Sequence, residues 1–349
     1  MEYMESNNMK IEHNSPIELK KEDFVANQPV KWCPGCGSHI ILSAIENVFP
    51  QLGYKKEDFV VVSGIGCASR FPYYINTYGL HGIHGRALAI ATGVKLANPD
   101  LCVWVATGDG DSLAIGGNHF IQAIRRNIDL NVILFNNQIY GLTKGQFSPT
   151  TPMGTITKTS PYGTIERSFN VGQLVIGAQG TFYARVIDNN LPMLNEALLL
   201  AGKHKGTSIV EVLQRCVIFN DKGYAYLTDK ETKDDNQIWL QAGKPMLFGK
   251  NKEKGIGYQN GQLQVIEIGK NGTLEDVLIH HPENNDIALH LLLSLMAPPQ
   301  FPLAMGVIWM ENQPTFDGLM VEQMQRVSST SSIRNVSDLM NSEDVFEIN

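Results

Sequence analysis

A chain of 349 residues, 43% apolar and 18% charged, has the composition of a soluble globular protein and can bury one large or two ordinary cores. Its formal charge of −7, with no long basic run, argues against a nucleic-acid-binding surface. Residues 1–21 lack the apolar stretch of a signal peptide, and the longest apolar run, 287–297, is broken by His290 and too short to span a bilayer, so no membrane partner is expected and the cytoplasm is the expected compartment.

In chain order, residues 1–30 read as an N-terminal arm. Residues 39–49 carry apolar side chains at helical spacing, 59–63 form a strand, and 86–96 a helix of small residues. The run 101–106 is a buried strand. It is followed by Gly108-Asp109-Gly110-Asp111, by a helix over 112–127 with Leu113, Ile115, Phe120, Ile121 and Ile124 on one face, and by a strand over 130–135. Beyond this βαβ unit come a strand at 182–187, a helix at 192–201 opening on a proline, and a strand at 208–213. The alternation predicts an α/β fold, a mostly parallel sheet flanked by helices, over 31–220. Residues 221–349 are expected to form a smaller C-terminal extension and tail: polar and loop-rich to 262, a second unit from Leu263, and a loose tail beginning at 328–332. No internal repeat is found.

A right-handed βαβ crossover sets the ends of two parallel strands side by side, so Asp109 and Asn137, twenty-eight positions apart, are expected to meet over the sheet. Magnesium suits that pair. A hard cation seeking six oxygens takes the Asp109 carboxylate, the Asn137 amide oxygen, a main-chain carbonyl near Ile139, two diphosphate oxygens and a water. Taken alone, Gly-Asp-Gly is also a common turn, and paired asparagines after a strand also cap loops. A dinucleotide fold is disfavoured because Gly64-Ile65-Gly66-Cys67-Ala68-Ser69 lacks the third glycine of its fingerprint, and no P-loop occurs.

Five cysteines in such a chain point to metal or redox chemistry rather than a disulfide framework. Cys33 and Cys36 form a C-x₂-C turn, Cys67 lies in a glycine-rich turn after a strand, and Cys216 ends another strand. These four are expected to converge at the rim of the sheet, while Cys102, inside an apolar strand, reads as a small buried hydrophobe. Ligand type and spacing leave an iron–sulfur cluster and a Cys₄ zinc site equally open. A thioredoxin-like dithiol would leave Cys67 and Cys216 idle.

The runs from Gly108-Asp109-Gly110-Asp111 to Tyr140-Gly141-Leu142-Thr143-Lys144-Gly145-Gln146, together with C-P-G-C-G, G-I-G-C-A-S-R and E-V-L-Q-R-C, resemble the β subunits of 2-oxoacid:ferredoxin oxidoreductases. The resemblance is strong from Lys31 to Asn220 and weaker from Gly243 to about Thr315. It implies a thiamine diphosphate-binding fold, with thiamine diphosphate and Mg²⁺ held by Ile65, Gly66, Cys67, Ala68, His84, Gly108, Asp109, Gly110, Asp111, Asn137, Ile139, Gly141, Leu142 and Thr143. It also implies one [4Fe–4S] cluster on Cys33, Cys36, Cys67 and Cys216, which favours the cluster over zinc. Residues 70–79 and 81–86 resemble the 2-oxoglutarate type, with Gly82 where the family often has threonine. Arg70 is then expected to grip the second carboxylate of the substrate, its alternative being an ordinary ion pair. His84 is expected to meet diphosphate or substrate, or to serve as a structural hydrogen bonder. Leu142 is expected to wedge between the cofactor's rings, or to pack in the core.

The implied reaction is oxidative decarboxylation of 2-oxoglutarate with coenzyme A to succinyl-CoA and CO₂. Electrons would leave through the cluster to ferredoxin, and the reaction could run in either direction. No carboxylate for the aminopyrimidine ring can be placed in this chain, and in the family that group comes from an α subunit. The alternatives are a pyruvate or branched-chain 2-oxoacid enzyme, and a non-catalytic iron–sulfur or zinc protein.

Overall fold

Strand-forming runs rich in valine, isoleucine and aromatic residues build an eight-stranded sheet in a computed structural model that describes residues 18–343 and 346. The strands in chain order are β1 (Phe59–Ser63), β2 (Tyr78–His81), β3 (Cys102–Gly108), β4 (Asn131–Asn136), β5 (Ile139–Tyr140), β6 (Gln146–Phe147), β7 (Phe182–Ile187), β8 (Ser208–Leu213), β9 (Gln237–Leu240), β10 (Leu247–Phe248), β11 (Lys254–Gln259), β12 (Gln262–Glu267) and β13 (Leu303–Met310). The large sheet runs β2-β1-β3-β4-β8-β7-β13-β9, parallel throughout except where β13 meets β7.

Helices cover both faces. Helices α1 (Ser38–Val48), α2 (Phe71–Tyr74), α3 (Ala87–Ala97), α4 (Asp109–Leu113), α5 (Gly117–Arg126), α6 (Val171–Gly177) and α7 (Leu191–Lys203) account for most of the cover. Alternation along the strands sorts the core into two layers: Trp104 and Ala106 of β3 pack with α1 and α7, while Val103 and Val105 pack with α3, α5 and α6. Burial on both faces explains why β3, β4, β7 and β8 read as continuous apolar runs.

Register positions the site. Gly108 of β3 pairs with Phe135 of β4, and Ser63 of β1 pairs with Ala106 of β3. The residues that follow β1, β3 and β4 therefore emerge together at the carboxyl edge, where ligands of open α/β sheets bind.

Several expectations are corrected. The helix expected over 112–127 is two helices, α4 and α5, broken at Ala114. The break comes where Gly116 passes the crossing loop: a side chain at Gly116 would stand 2.4 Å from the Asp111 carbonyl and 3.1 Å from Gly85. The division expected at 220 is crossed by the sheet, since β9 and β13 extend it, and β13 carries the apolar sequence Leu303–Met310 of a strand buried on both faces. The smaller unit is the antiparallel sheet β10-β11-β12. It begins ahead of Leu263 because Asn260 and Gly261, at φ 53° and 78°, make a tight hairpin between β11 and β12. In the expected arm, Phe24 is fully buried against Phe49 and Phe59, tying residues 18–30 to the core, whereas 1–17 lie outside the described residues. The expected start of a tail at 328 lies in the helix Phe316–Thr330. Among the described residues no helix is long and apolar enough to cross a membrane.

Candidate active site

The loops after β1, β3 and β4 enclose a cavity of about 460 Å³. Gly66, at φ +136°, has nothing within 4 Å of where a Cβ would stand, and the corresponding position at Gly108 meets only the Phe135 carbonyl at 4.0 Å. Both backbones thus leave room for a ligand. Gly110 is a glycine for a different reason: a Cβ there would lie 2.2 Å from the Tyr140 ring, whose hydroxyl donates to the Gly110 carbonyl at 2.9 Å.

Asp109 is buried, 2% exposed, with no basic side chain among its partners. Its Oδ2 accepts from Ser148 Oγ at 2.6 Å and from Thr150 Oγ1 at 2.5 Å. Burial pushes the carboxyl above its ordinary range, and these hydroxyls partly offset the push. Thr150 Oγ1 also lies 2.8 Å from Asn136 Oδ1, its one proton shared between the two acceptors, and Asn136 donates to Glu211 at 2.7 Å, anchoring the loop to the core ion pair Arg185–Glu211. Asn137 Oδ1 accepts from the Ile139 amide at 3.1 Å. A buried carboxylate with no basic partner, lining one cavity with Asn137 and Ile139, is a donor set that fits magnesium.

Asp111 has a different task. Its Oδ1 accepts from Ile65 N at 3.1 Å, Gly85 N at 2.7 Å and His84 Nδ1 at 2.8 Å, and its Oδ2 accepts from Thr107 at 2.9 Å. The carboxylate knits three loops together and fixes the His84 ring, leaving Nε2 as the nitrogen that can meet a ligand.

A second cavity of about 240 Å³ is lined by Cys33, Cys36, Cys67 and Cys216. The C-x₂-C turn closes with Cys36 N donating to Cys33 O at 3.1 Å, and Trp32 Nε1 donates to Cys67 O at 2.7 Å. A Cβ at Gly141 would come within 3.6 Å of Cys216 Sγ and 3.8 Å of Cys67 Sγ, so glycine lets the metal-side loop lie directly on the sulfurs. Burial, with Cys36 and Cys216 adding to it, pushes the Cys67 thiol up to about 11, and burial raises Cys36 as well. Four thiolates here require cationic charge among them, and Lys31, Arg70, Lys144 and Arg215 line the same cavity. Cys102 stands apart: buried in β3, it accepts from Trp104 Nε1 at 3.3 Å, and burial pushes it up to about 12. The two cavities share Cys67, Asn137, Gly141 and Leu142 as a common wall.

Comparison with known proteins gives the family. Residues 64–212 match the family described as thiamine pyrophosphate enzyme, C-terminal TPP binding domain. The chain is 42% identical over 332 residues to 2-oxoglutarate oxidoreductase subunit KorB of Mycobacterium tuberculosis, covering 94% of this chain and 88% of that protein. The chain belongs to the family of 2-oxoacid:ferredoxin oxidoreductase β subunits. It is likewise 42% identical over 255 residues to the 2-oxoacid:ferredoxin oxidoreductase subunit beta of Saccharolobus solfataricus, covering 68% of this chain and 84% of that one. Among solved structures it matches a chain of the 2-oxoglutarate:ferredoxin oxidoreductase from Magnetococcus marinus, with 2-oxoglutarate, coenzyme A and succinyl-CoA bound, at a TM-score of 0.75 and 28% identity, covering 94% of this chain and 97% of that one. This β subunit is therefore part of a multi-subunit oxidoreductase with a thiamine diphosphate-binding domain.

Within the β subunit, every residue expected to hold thiamine diphosphate or its metal lines the larger cavity, from Ile65 to Thr143, and the four expected cysteines line the smaller one. Arg70 is the exception. It lines the cysteine cavity and not the larger one, with Nη1 donating to the Lys31 carbonyl at 3.4 Å. The reason is local: Ala68–Arg70 is one 3₁₀ turn, closed by Arg70 N donating to Cys67 O at 3.3 Å, and residues three apart in such a turn eclipse one another. Arg70 thus follows Cys67 to the sulfur side. At Gly82, where the family often has threonine, a Cβ would meet Ile90 Cδ1 at 2.5 Å, so Ile90 occupies that space.

Sequence reasoning missed Asn136, Tyr140, Ser148, Thr150 and Gln214. The S-P-T-T run at 148–151 looks like an ordinary loop, and only the folded chain shows its hydroxyls meeting Asp109.

Proposed function

We propose that the chain is the β subunit of a 2-oxoglutarate:ferredoxin oxidoreductase, binding thiamine diphosphate with Mg²⁺ in the larger cavity and a [4Fe–4S] cluster in the smaller. Thiamine diphosphate, when bound, supplies the electron sink for decarboxylation of a 2-oxoacid. The observation that carries the reading is the shared wall of Cys67, Asn137, Gly141 and Leu142, which would hold a thiamine site beside a cluster able to take its electrons singly. The cluster is favoured over zinc because the chain belongs to a family of ferredoxin-linked oxidoreductase subunits, whose chemistry needs an acceptor of single electrons beside the thiamine, and zinc has no redox chemistry.

The chain's own residues divide the work. Asp109, Asn137 and the Ile139 carbonyl would hold the metal, with Ser148 and Thr150 donating to Oδ2 of Asp109. His84, oriented by Asp111, offers Nε2 to the diphosphate or to the substrate. Leu142, 46% exposed and lining both cavities, would separate the cofactor's rings. The acidic residues lining the larger cavity are Asp109 and Asp111, both engaged as described, so the carboxylate for the aminopyrimidine belongs to the α subunit. The names of the relatives support 2-oxoglutarate as substrate, coenzyme A as acyl acceptor and ferredoxin as electron acceptor.

Anaerobic co-purification with the α subunit, then acyl-CoA formation assayed on a panel of 2-oxoacids, tests this. Coenzyme A-dependent turnover highest with 2-oxoglutarate is expected, and the isolated chain should be inactive. Preference for pyruvate or a branched-chain acid would replace the substrate assignment, and robust turnover by the isolated chain would overturn the division between subunits.

A further inference from the structure

Gln214 directly follows β8, and its amide N–H donates to the Asn136 carbonyl at 2.9 Å, so the β4–β8 pairing holds it at the sheet edge. The side chain is 3% exposed. Its Nε2 donates to Cys36 Sγ at 3.4 Å and to Ser38 Oγ at 2.6 Å, and Ser38 Oγ lies 3.5 Å from the same sulfur. A cysteine that ligates iron is a thiolate and can only accept. The Ser38 hydroxyl, which accepts from Gln214, then turns its proton toward Cys36. Two donors therefore converge on one sulfur, one direct and one relayed. Among the described residues no side-chain donor reaches the sulfurs of Cys33, Cys67 or Cys216 in this way.

We propose that Gln214, with Ser38 as its relay, is a positioning residue that raises the reduction potential of the cluster ligated by Cys36. The inference rests on the cluster reading above. Reduction adds negative charge to the cluster and its sulfurs, and donors aimed at a sulfur stabilise that charge, so they favour the reduced form. Burial matters here. Lys31 and Lys144 are exposed at the rim and screened by solvent, whereas the Gln214 amide acts from inside the protein, where a hydrogen bond is electrostatically stronger.

The test uses the assembled enzyme purified anaerobically, with iron and sulfide analysis first and an electron paramagnetic resonance-monitored potentiometric titration second. Gln214→Met keeps length and volume but removes both donors, and Ser38→Ala removes the relay alone. With iron content unchanged, Gln214→Met should lower the reduced-to-oxidised ratio at a fixed potential about tenfold, which is about 59 mV for a one-electron couple. Ser38→Ala should shift it less, in the same direction. If one variant loses iron, the other decides. An unchanged or raised potential in an iron-replete variant overturns the proposal, as does loss of iron from both, since the pair would then hold the site together rather than tune it. A wild-type protein carrying zinc instead of iron overturns the cluster reading itself, and metal analysis distinguishes that failure before any titration.

Discussion

Replacing Asp109 with asparagine separates two effects that the buried carboxylate combines. In the metal-free protein the carboxylate is fully buried with no basic partner, and an ion in that situation costs several kcal/mol. Asparagine keeps the volume and still offers an oxygen to Ser148 and Thr150, so the apo protein should melt at the same temperature or higher. In the loaded protein the cation loses its charged protein ligand. Loss of a merely supporting partner weakens metal sites about 10- to 100-fold. Loss of a direct anionic ligand should therefore weaken Mg²⁺-dependent thiamine diphosphate binding at least about 100-fold, roughly 2.8 kcal/mol at 1.4 kcal/mol per tenfold. Calorimetric titration of the cofactor with Mg²⁺ into the metal-free assembled enzyme measures the second effect, and thermal melting without Mg²⁺ measures the first. Affinity within threefold of wild type would refute the metal-site assignment. A large drop in apo stability with affinity preserved would make Asp109 a structural group.

Thr150→Val removes one hydroxyl from Asp109 and its link to Asn136, and should weaken cofactor binding about 10- to 100-fold in the same titration; no change would mean Ser148 alone suffices. Single alanine variants of Cys33, Cys36, Cys67 and Cys216 should each lose cluster iron while Cys102→Ala keeps it, and full iron in Cys216→Ala would break the assignment. Because Arg70 lies on the sulfur side, Arg70→Ala should lower kcat/KM for 2-oxoglutarate and for pyruvate by similar factors; a loss at least about tenfold greater for 2-oxoglutarate would instead put its guanidinium on the distal carboxylate. His204 and His280 are buried, and burial pushes each down to about 4, below the ordinary 6.5. The unfolded chain thus binds protons that the native one refuses, and stability should fall as pH drops from about 6.5 to about 4. Urea melts across that window should show a shallower acid loss in a His204→Gln, His280→Gln double variant, and an identical slope would exclude these groups as its source.

What the sequence determined by itself was local or set by chain period. Apolar runs located the strands, because a strand buried on both faces must be apolar along its length. The spacing of Asp109 and Asn137 placed them together, because one right-handed crossover leaves little freedom. The four turn cysteines could be told from Cys102 for a similar reason: loops at strand ends converge on one edge, while a residue within a strand is held by its neighbours.

Only the tertiary structure decided the rest, which depended on contacts between segments distant in sequence. Nothing in S-P-T-T announces that Ser148 and Thr150 reach back about forty residues to hold Asp109, and nothing around Gln214 points to Cys36, 178 residues earlier. The side of the wall taken by Arg70 was settled by a single 3₁₀ turn, too short to leave a periodic signal. The extension beyond 220 joined the main sheet because β13 pairs with β7 and β9 with β13, and helices flanking the sheet cover their apolar faces. Pairing of this kind is chosen by the fit of whole surfaces, which no single stretch of sequence contains.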